Sequence, residues 1–341
     1  MRLKTFPIVL VAVAIAITAI APSSASAWGD SGHRMIGEAA MRRLPKGLPA
    51  FLYTAASISD VGQYSREPDL WRKAGLVHDA DRDPAHLIRL DDTGISLAGM
   101  GLTDLPATRS LYEAAVRAKG VDPVLAGYLP YSLADAHLQV TKDMAFLRLI
   151  ALADTHEKDP AKRAWLKEAL RRRQDLTLRD IGILSHYIAD AAQPMHMSVH
   201  YDGWGDFPNP KGFTTAHIHW PLEGAYVRQN VTLKAVLQDM APYAPCADKV
   251  EVCIAQRLER DFDQIMPLYA LEKDGGFKPG DSRGGAYMTG RLAHGASDLR
   301  DMLGEAWRDS ANMTINFAEQ TYMDAEAGHI PDLYALLAGE S

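Results

Sequence analysis

Hydrophobic residues recur at intervals of three and four along most of this chain, which is the period of an amphipathic α-helix. Seven segments show the pattern: 33–44, 107–119, 133–154, 160–174, 178–192, 249–272 and 285–307. Connections rich in Pro, Gly and Asp separate them, and roughly the last two hundred residues contain no convincing alternating strand pattern. We therefore predict an all-α fold, a single domain of many helices.

The first 27 residues follow a different pattern. Arg2 and Lys4 precede an apolar run over 8–20, and a small-residue Ala-Ser-Ala site follows at 25–27. This is the layout of a secretory signal peptide, and the apolar run is short for a membrane span. We predict export with cleavage at this site, and no permanent membrane anchor afterwards.

Export changes what the charge and the cysteines imply. Cleavage would leave 314 residues and move the formal net charge from −7 to −9, so no overall basic field attracts polyanions. Any attraction to phosphate must then be local, as a bound metal ion would provide. Cys246 and Cys253 lie seven positions apart, and in an exported chain we predict a disulfide between them rather than a metal pair.

The segment 184–196 carries a candidate metal motif. His186 and Asp190 are one helical turn apart, so their side chains lie next to each other on the helix. Pro194 should end or kink this helix, which would turn His196 toward a different metal. The segment alone leaves two interpretations open: two ligands on one metal, or a buried structural hydrogen bond between His186 and Asp190.

Trp28 would become the new N-terminus after cleavage. A free α-amino group titrates near neutral pH and can bind a metal together with its own carbonyl oxygen. His33, five residues further on, could complete such a site.

Asp69 and His86 offer a carboxylate and an imidazole, which are ligands that suit Zn²⁺. Asp60 competes for the carboxylate role and His78 for the imidazole role. The alternative for this whole stretch is a surface loop rich in turn residues.

His219 and Glu223 form another pair four residues apart, provided that a helix opens at Trp220. Pro221 is tolerated only in the first turn, so the helix must begin about there. His217 is a rival ligand with no acid at the matching offset.

Taken in order, these pieces resemble the superfamily of zinc-dependent phospholipases C and single-strand-specific nucleases (the nuclease S-one/P-one family). The resemblance covers residues 28 to about 307 and rests on an ordered set: an N-terminal Trp after cleavage, then His, Asp and His, then His-x₃-Asp-x₅-His, then His-x₃-acid. It implies an all-α domain with three zinc ions in a cleft. The implied ligands of the first zinc are Asp69, His86, His186 and Asp190. Those of the second are His196, His219 and Glu223. Those of the third are the amine and carbonyl of Trp28, with His33 and a shared Asp190.

The resemblance also implies metal-assisted hydrolysis of a phosphodiester bond by water. Asp190 would bridge two zinc ions, and Asp69 would orient or deprotonate the attacking water. These two are the expected catalytic residues.

We expect an endonuclease that acts on single-stranded DNA or RNA, with 3′-nucleotidase cleavage as a side activity. The spacings that precede His33 and His219 match the nuclease branch, whereas Glu223 stands where nucleases usually have Asp and points to the phospholipase branch. A phospholipase C that cleaves phosphatidylcholine-type lipids therefore stays open. A non-catalytic zinc-binding periplasmic protein is the third hypothesis.

Three apolar residues near the expected cleft weaken the nuclease assignment. Leu87 stands where nucleases often place an aromatic ring for base stacking. Trp204 and Phe207 lie in a loop that lacks the Gly-Gly-Asn run of many nucleases. Their rings could stack on bases, contact lipid or only pack the loop.

We divide the chain into a signal peptide (1–27), a zinc-dependent hydrolase domain (28–308) and a helical extension (309–341). In the extension, helices are expected over 309–327 and 331–338. We expect a monomer that is periplasmic or secreted.

Overall fold

Helices dominate residues 28–339, the part of the chain that the computed structural model describes. The first eight are α1 (Asp30–Arg42), α2 (Ala55–Tyr64), α3 (Glu67–Leu70), α4 (Leu76–Arg82), α5 (Arg109–Ala118), α6 (Pro123–Ala126), α7 (Leu129–His156) and α8 (Pro160–Ala192). The others are α9 (Val227–Asn230), α10 (Leu233–Asp239), α11 (Val250–Phe262), α12 (Ile265–Lys273), α13 (Ser282–Asp309), α14 (Tyr322–Glu326) and α15 (Leu333–Ala338). Within these residues only isolated β-bridges join extended segments, so the all-α prediction is confirmed. The predicted signal peptide, 1–27, lies outside the described residues.

The longest helix is longer than predicted. The sequence pattern separates 160–174 from 178–192, but α8 runs through both without interruption. The three residues between them include no Gly or Pro, and the backbone carbonyl of Arg173 accepts a hydrogen bond from the Thr177 hydroxyl at 2.7 Å. A shift in the spacing of the hydrophobic residues is therefore not enough to end a helix when no Gly or Pro interrupts it.

The segment predicted as one helix over 249–272 is two helices, α11 and α12. Pro267 explains the interruption, because it lacks the N–H that would bond to the carbonyl of Asp263, and its ring would clash with that carbonyl. Pro267 is instead accommodated in the first turn of α12.

The extension also differs from its prediction. Instead of one helix over 309–327, turns follow α13 until Thr321 opens the short α14. Thr321 and Asp324 form a capping box, in which each side chain accepts from the other residue's backbone N–H. The short helix predicted over 331–338 corresponds to α15. Ile315, Ala325 and Ile330 of this extension pack against α7.

The helix α8 occupies the centre of the packing and contacts α7, α2, α13 and α1. Its end between Ile181 and Ala192 is largely buried, whereas Arg171 and Arg172 near its middle are exposed. Three residues connect α7 to α8, and Asp159 caps α8 by accepting hydrogen bonds from two backbone N–H groups of its first turn. The buried end of α8 is where the predicted ligands lie.

Two further features concern the cysteines and the apolar character of the helices. Cys246 and Cys253 form the predicted disulfide, which ties the loop before α11 to the first turn of that helix. Among residues 28–339, no helix combines the length and the apolar character that crossing a membrane would need.

Candidate metal centre

The candidate site is built on the buried end of α8. His186 and Asp190 lie one turn apart there, both 0% exposed. Gly182, one turn before His186, has no room for a Cβ because Tyr64 lies against it. This close approach of α2 brings the carbonyl of Ser65 to Nδ1 of His186, at 2.8 Å. The glycine therefore sets how near α2 comes, and α2 fixes the histidine ring.

The first cluster (Asp69, His86, His186 and Asp190) joins this helix to two short turns. Nδ1 of His86 lies 2.8 Å from Oδ2 of Asp190 and 2.9 Å from Nε2 of His186, and the latter two atoms are 3.3 Å apart. Ligand atoms about 2.0–2.1 Å from a tetrahedral zinc lie about 3.3 Å from one another. The three atoms therefore have nearly the spacing of a coordination shell. The ligand atoms of Asp69, His86 and His186 all lie within 4.8 Å of one another.

The rivals for the first cluster lie elsewhere. Asp60 and His78 belong to no described group of candidate ligand atoms. His78 instead faces its chain neighbour Asp79, at 3.1 Å. Of the two candidates for each role, the fold brings Asp69 and His86 to α8.

Of the third implied ligand set (Trp28, His33 and Asp190, the third cluster below), the structure brings His33 of α1 and Asp190 of α8 together. His33 stacks on His186, with ring centroids 4.0 Å apart, and its Nε2 lies 3.7 Å from Oδ1 of Asp190. The indole N–H of the buried Trp28 donates to the carbonyl of Ala189, at 2.5 Å. The two oxygens of Asp190 consequently face different clusters, Oδ2 the first and Oδ1 the third.

The second cluster (His196, His219 and Glu223) depends on the end of α8. The helix stops at Ala192, and a 3₁₀ turn, Pro194–Met197, carries His196 off the helix line. Oε1 of Glu223 lies 2.6 Å from Nε2 of His219 and 3.5 Å from Nε2 of His196. The proline thus separates His196 from the first cluster, as the sequence predicted.

Of the two histidines in the loop before Glu223, only His219 faces the second cluster. His217 is exposed, and its Nδ1 lies 2.8 Å from Oδ2 of Asp202. Oδ1 of the same Asp202 accepts the backbone N–H of His219 at 3.0 Å. Pro221 lies in the first turn of the following helix as predicted, although this helix, Pro221–Tyr226, is a π-helix. Asp202 thus holds His217 outward while His219 faces Glu223.

Three histidines are fixed through Nδ1 by backbone carbonyls. The pairs are His186 with Ser65, His196 with His86, and His219 with Tyr201, at 2.8, 2.6 and 2.5 Å. A carbonyl oxygen only accepts, so each Nδ1 carries the proton and each Nε2 presents a lone pair in the neutral ring. Metal-binding histidines are held in this way in most proteins.

Burial controls the protonation of several of these groups. It lowers the pKa of His33 to about 3, helped by the nearby charge of His186, and it lowers the pKa of His219 to about 4. It also raises the pKa of Glu223 to about 8. Neutral imidazole is the form that binds metals, and a nearby cation would bring Glu223 into its charged form.

Asp190 and Asp69 stay ionised for a different reason. Burial alone would raise the pKa of Asp190, but the charges of His186, His196 and His86 lower it well below its ordinary range. Burial likewise opposes ionisation of Asp69, and the charges of His186 and His86 outweigh it and lower its pKa. Both carboxylates are therefore available as ligands.

Several buried atoms of these clusters have no hydrogen-bond partner. They are both ring nitrogens of His33, Oδ1 of Asp190, Nε2 of His196 and Oε2 of Glu223. Each such atom costs about 1–3 kcal/mol when it stays unpaired, so their concentration in one place needs a physical reason. Among the described residues, the ion pairs of Asp190 and Glu223 involve histidines alone. Bound cations would satisfy both the atoms and the charges, so the residues present fit metal ions.

Trp204, Phe207 and Leu87, the apolar residues expected near the site, differ in their exposure. Trp204 is buried, stacks on His200 with centroids 3.6 Å apart, and donates its indole N–H to the carbonyl of Pro208. It therefore packs the loop. Phe207 is 46% exposed, and Leu87 is partly buried.

Sequence reasoning missed the groups that position the ligands. The carbonyls of Ser65 and Tyr201 have no sequence signature, because every residue carries one. Asp202 could have been suspected as an acid six residues after His196. Arg89, three residues after His86, was also missed.

Comparison of the chain with protein-family models, with curated proteins and with solved structures found no match. The resemblance to zinc phospholipases and nucleases therefore rests on the residues named above and on where the fold places them.

Proposed function

We propose that this protein is a zinc-dependent phosphodiester hydrolase that acts on single-stranded nucleic acid. The observation that carries the proposal is the position of Asp190, whose Oδ2 faces His86 and His186 while its Oδ1 faces His33. A carboxylate shared in this way can bridge two cations about 3.5–4 Å apart, the separation of two-metal hydrolytic sites. Such sites serve phosphatases and nucleases.

The chain's own residues have distinct tasks in this reaction. Zinc ions held by the three clusters would generate a nucleophile from water near neutral pH and polarise the phosphoryl oxygens. Asp190 would link the first and third clusters, because its Oδ2 lies 2.8 Å from His86 and its Oδ1 faces His33 at 3.7 Å. Asp69 has a lowered pKa and so carries no proton at neutral pH, which makes it an acceptor that orients the attacking water.

Nucleic acid is preferred as the substrate because the spacings that precede His33 and His219 are those of the nuclease branch. A cleft that holds several divalent cations attracts phosphate even though the protein as a whole is acidic. Cleavage of 3′-phosphomonoesters at the same site is part of this proposal.

A phospholipase C is the second candidate, because Glu223 stands where nucleases usually have Asp and the phospholipase branch does not. Three exposed aromatic residues lie on the segments that carry the second cluster: Tyr201 at 47%, Phe207 at 46% and Trp220 at 53%. Exposed aromatic rings suit a membrane interface, and they suit base stacking as well. Turnover of nucleic acid against phosphatidylcholine distinguishes the two.

The test compares hydrolysis of single-stranded DNA, RNA and phosphatidylcholine by the exported protein, with and without a chelator. We expect turnover of both nucleic acids, loss of it with the chelator and recovery with Zn²⁺. His219→Ala should abolish the activity and the exposed neighbour His217→Ala should keep it. Turnover of phosphatidylcholine alone would favour the phospholipase, and no turnover despite bound zinc would favour a zinc-binding protein.

The proposed location is the periplasm or the medium. It depends on the predicted signal peptide, and the disulfide between Cys246 and Cys253 supports it because such bonds persist in oxidising compartments.

A further inference from the structure

Arg89 lies directly beside the second cluster. It sits between Ile88 and Leu90, whose backbone N–H groups donate to the carbonyls of His196 and Met197 at 3.0 and 3.1 Å. Ile88 and Leu90 are both 0% exposed and belong to the core. In an extended segment alternate side chains point to opposite sides, so Arg89 points away from the core, and it is partly exposed.

The guanidinium of Arg89 is held in place by neutral groups. Its Nη1 donates to the carbonyls of Met195 and Ser198, at 3.4 and 3.3 Å. Its Cζ lies 4.0 Å from the centre of the Tyr201 ring, a cation–π contact. The carbonyl of Tyr201 is the one that fixes Nδ1 of His219. One residue therefore connects the guanidinium to a candidate metal ligand.

Arg89 has no acidic partner among the ion pairs of residues 28–339, in contrast to the arginines buried deepest in the chain. Those three pair as Arg257 with Glu305, Arg291 with Asp261, and Arg300 with Asp301. Burial lowers the pKa of Arg89 to about 10, which leaves it charged at neutral pH.

A lasting positive charge beside a cluster that would itself bind cations is unfavourable unless an anion joins them. Among the described residues no carboxylate forms an ion pair with Arg89, which leaves its charge for a partner from outside the protein. A guanidinium offers paired donors that match phosphate oxygens. A substrate whose next group is a quaternary ammonium would be repelled at the same place.

We propose that Arg89 binds a second phosphate of the substrate, adjacent to the phosphodiester that is cleaved. The chemical class it selects is a chain of successive phosphates, as in nucleic acid, over a lipid with a cationic head group. This inference rests on the proposed function, because it assigns a further contact to the same site.

Binding to the zinc-loaded protein tests the inference without requiring turnover. The ligands are a nucleoside 5′-monophosphate, a nucleoside 3′,5′-bisphosphate analogue whose 3′-phosphate is replaced by a non-hydrolysable methylenephosphonate (the bisphosphate below), and choline phosphate, with Kd measured by calorimetry. We expect the wild type to bind the bisphosphate about tenfold or more tightly than the monophosphate, the factor that one charged hydrogen-bond contact provides. Arg89→Gln should remove this preference, while Arg89→Lys, which keeps the charge, should retain part of it.

Arg172→Gln is the matched control, since it removes one exposed arginine from the middle of α8 and should leave all three affinities unchanged. An unchanged bisphosphate preference in Arg89→Gln would overturn the inference. So would loss of zinc from both Arg89 variants, or weaker binding of choline phosphate once Arg89 is gone. A wild type that prefers the bisphosphate but hydrolyses no phosphodiester would contradict the proposed function alone.

Discussion

Two buried groups of histidine and carboxylate side chains in the described part of this protein have similar composition and different neighbours. One is the metal centre around Asp190. The other, which we call the arginine cluster, contains Asp261, His294 and Asp298, and it also brings one ligand atom from each residue within 4.8 Å of the others. By proximity alone, both could hold a metal ion.

The arginine cluster is already neutralised by the protein. Arg291 pairs with Asp261, and Asp298 lies 3.1 Å from Arg260 and 3.6 Å from Arg257. A divalent cation would have to compete with three guanidinium groups there. In the candidate metal centre, the ion pairs of Asp190 and Glu223 involve only histidines among the described residues, and several buried atoms have no hydrogen-bond partner. A single arginine, Arg72, lies 3.6 Å from Asp69 at its edge. The difference teaches that a candidate metal site is marked by buried carboxylates that the described residues leave without a cationic arginine or lysine, rather than by ligand atoms that merely lie close together.

The largest expected effect comes from removing metal. A chelator should lower the free energy of unfolding of the protein by several kcal/mol. The reason is that a metal site contributes about 4 kcal/mol to this free energy when the free metal is at a thousandfold excess over its Kd. Calorimetric melting with and without chelator measures this. A melting temperature that the chelator does not change would mean that the centre is stable without cations.

Asp261→Asn breaks the arginine cluster instead. It leaves the buried Arg291 without its charge partner, which we expect to cost about 3–5 kcal/mol. The loss should be the same with and without chelator, and the metal content should not change. A lower metal content in this variant would show that the arginine cluster binds metal after all.

His294→Gln tests the same cluster through pH, with the smallest effect. Burial opposes protonation of His294, but the hydrogen bond to Asp261 and the charges of Asp261 and Asp298 raise its pKa above the ordinary value. The folded protein therefore binds this proton more tightly than the unfolded chain does. The resulting stabilisation is complete below about pH 6.5 and is lost as the pH rises through the folded pKa. Urea unfolding across this range should show a decline in the wild type that is weaker in His294→Gln, and equal slopes would contradict the assignment.

The fold could be predicted where a local signal was strong. Helical periodicity gave the long helices, and Pro194 gave the end of α8. The helix boundaries were predicted wrongly in two places. Pro267 divides 249–272 into two helices although the hydrophobic period continues. The stretch 175–177 contains no helix-breaking residue, so α8 continues although the hydrophobic period changes there. Local chemistry therefore decides helix boundaries more firmly than hydrophobic phase.

The sequence predicts which residues are candidate metal ligands, but it does not predict how their side chains are arranged relative to one another. The spacing of His186 and Asp190 gave one edge of the first cluster, while the choice of Asp69 over Asp60 required the fold. The three carbonyls that fix the histidine rings, and the pairing of Arg89 with Tyr201, depend on segments far apart in the chain. No local pattern encodes such contacts.

Metal stoichiometry of two variants tests the central claim, that Asp190 joins two metal sites, most directly. Zinc is counted per chain in the wild type, in Asp190→Asn and in His196→Ala after dialysis against a weak competing ligand. We predict three in the wild type, a loss from two sites together in Asp190→Asn and a loss of one in His196→Ala. If Asp190→Asn loses no more zinc than His196→Ala, Asp190 serves a single site and the account is wrong.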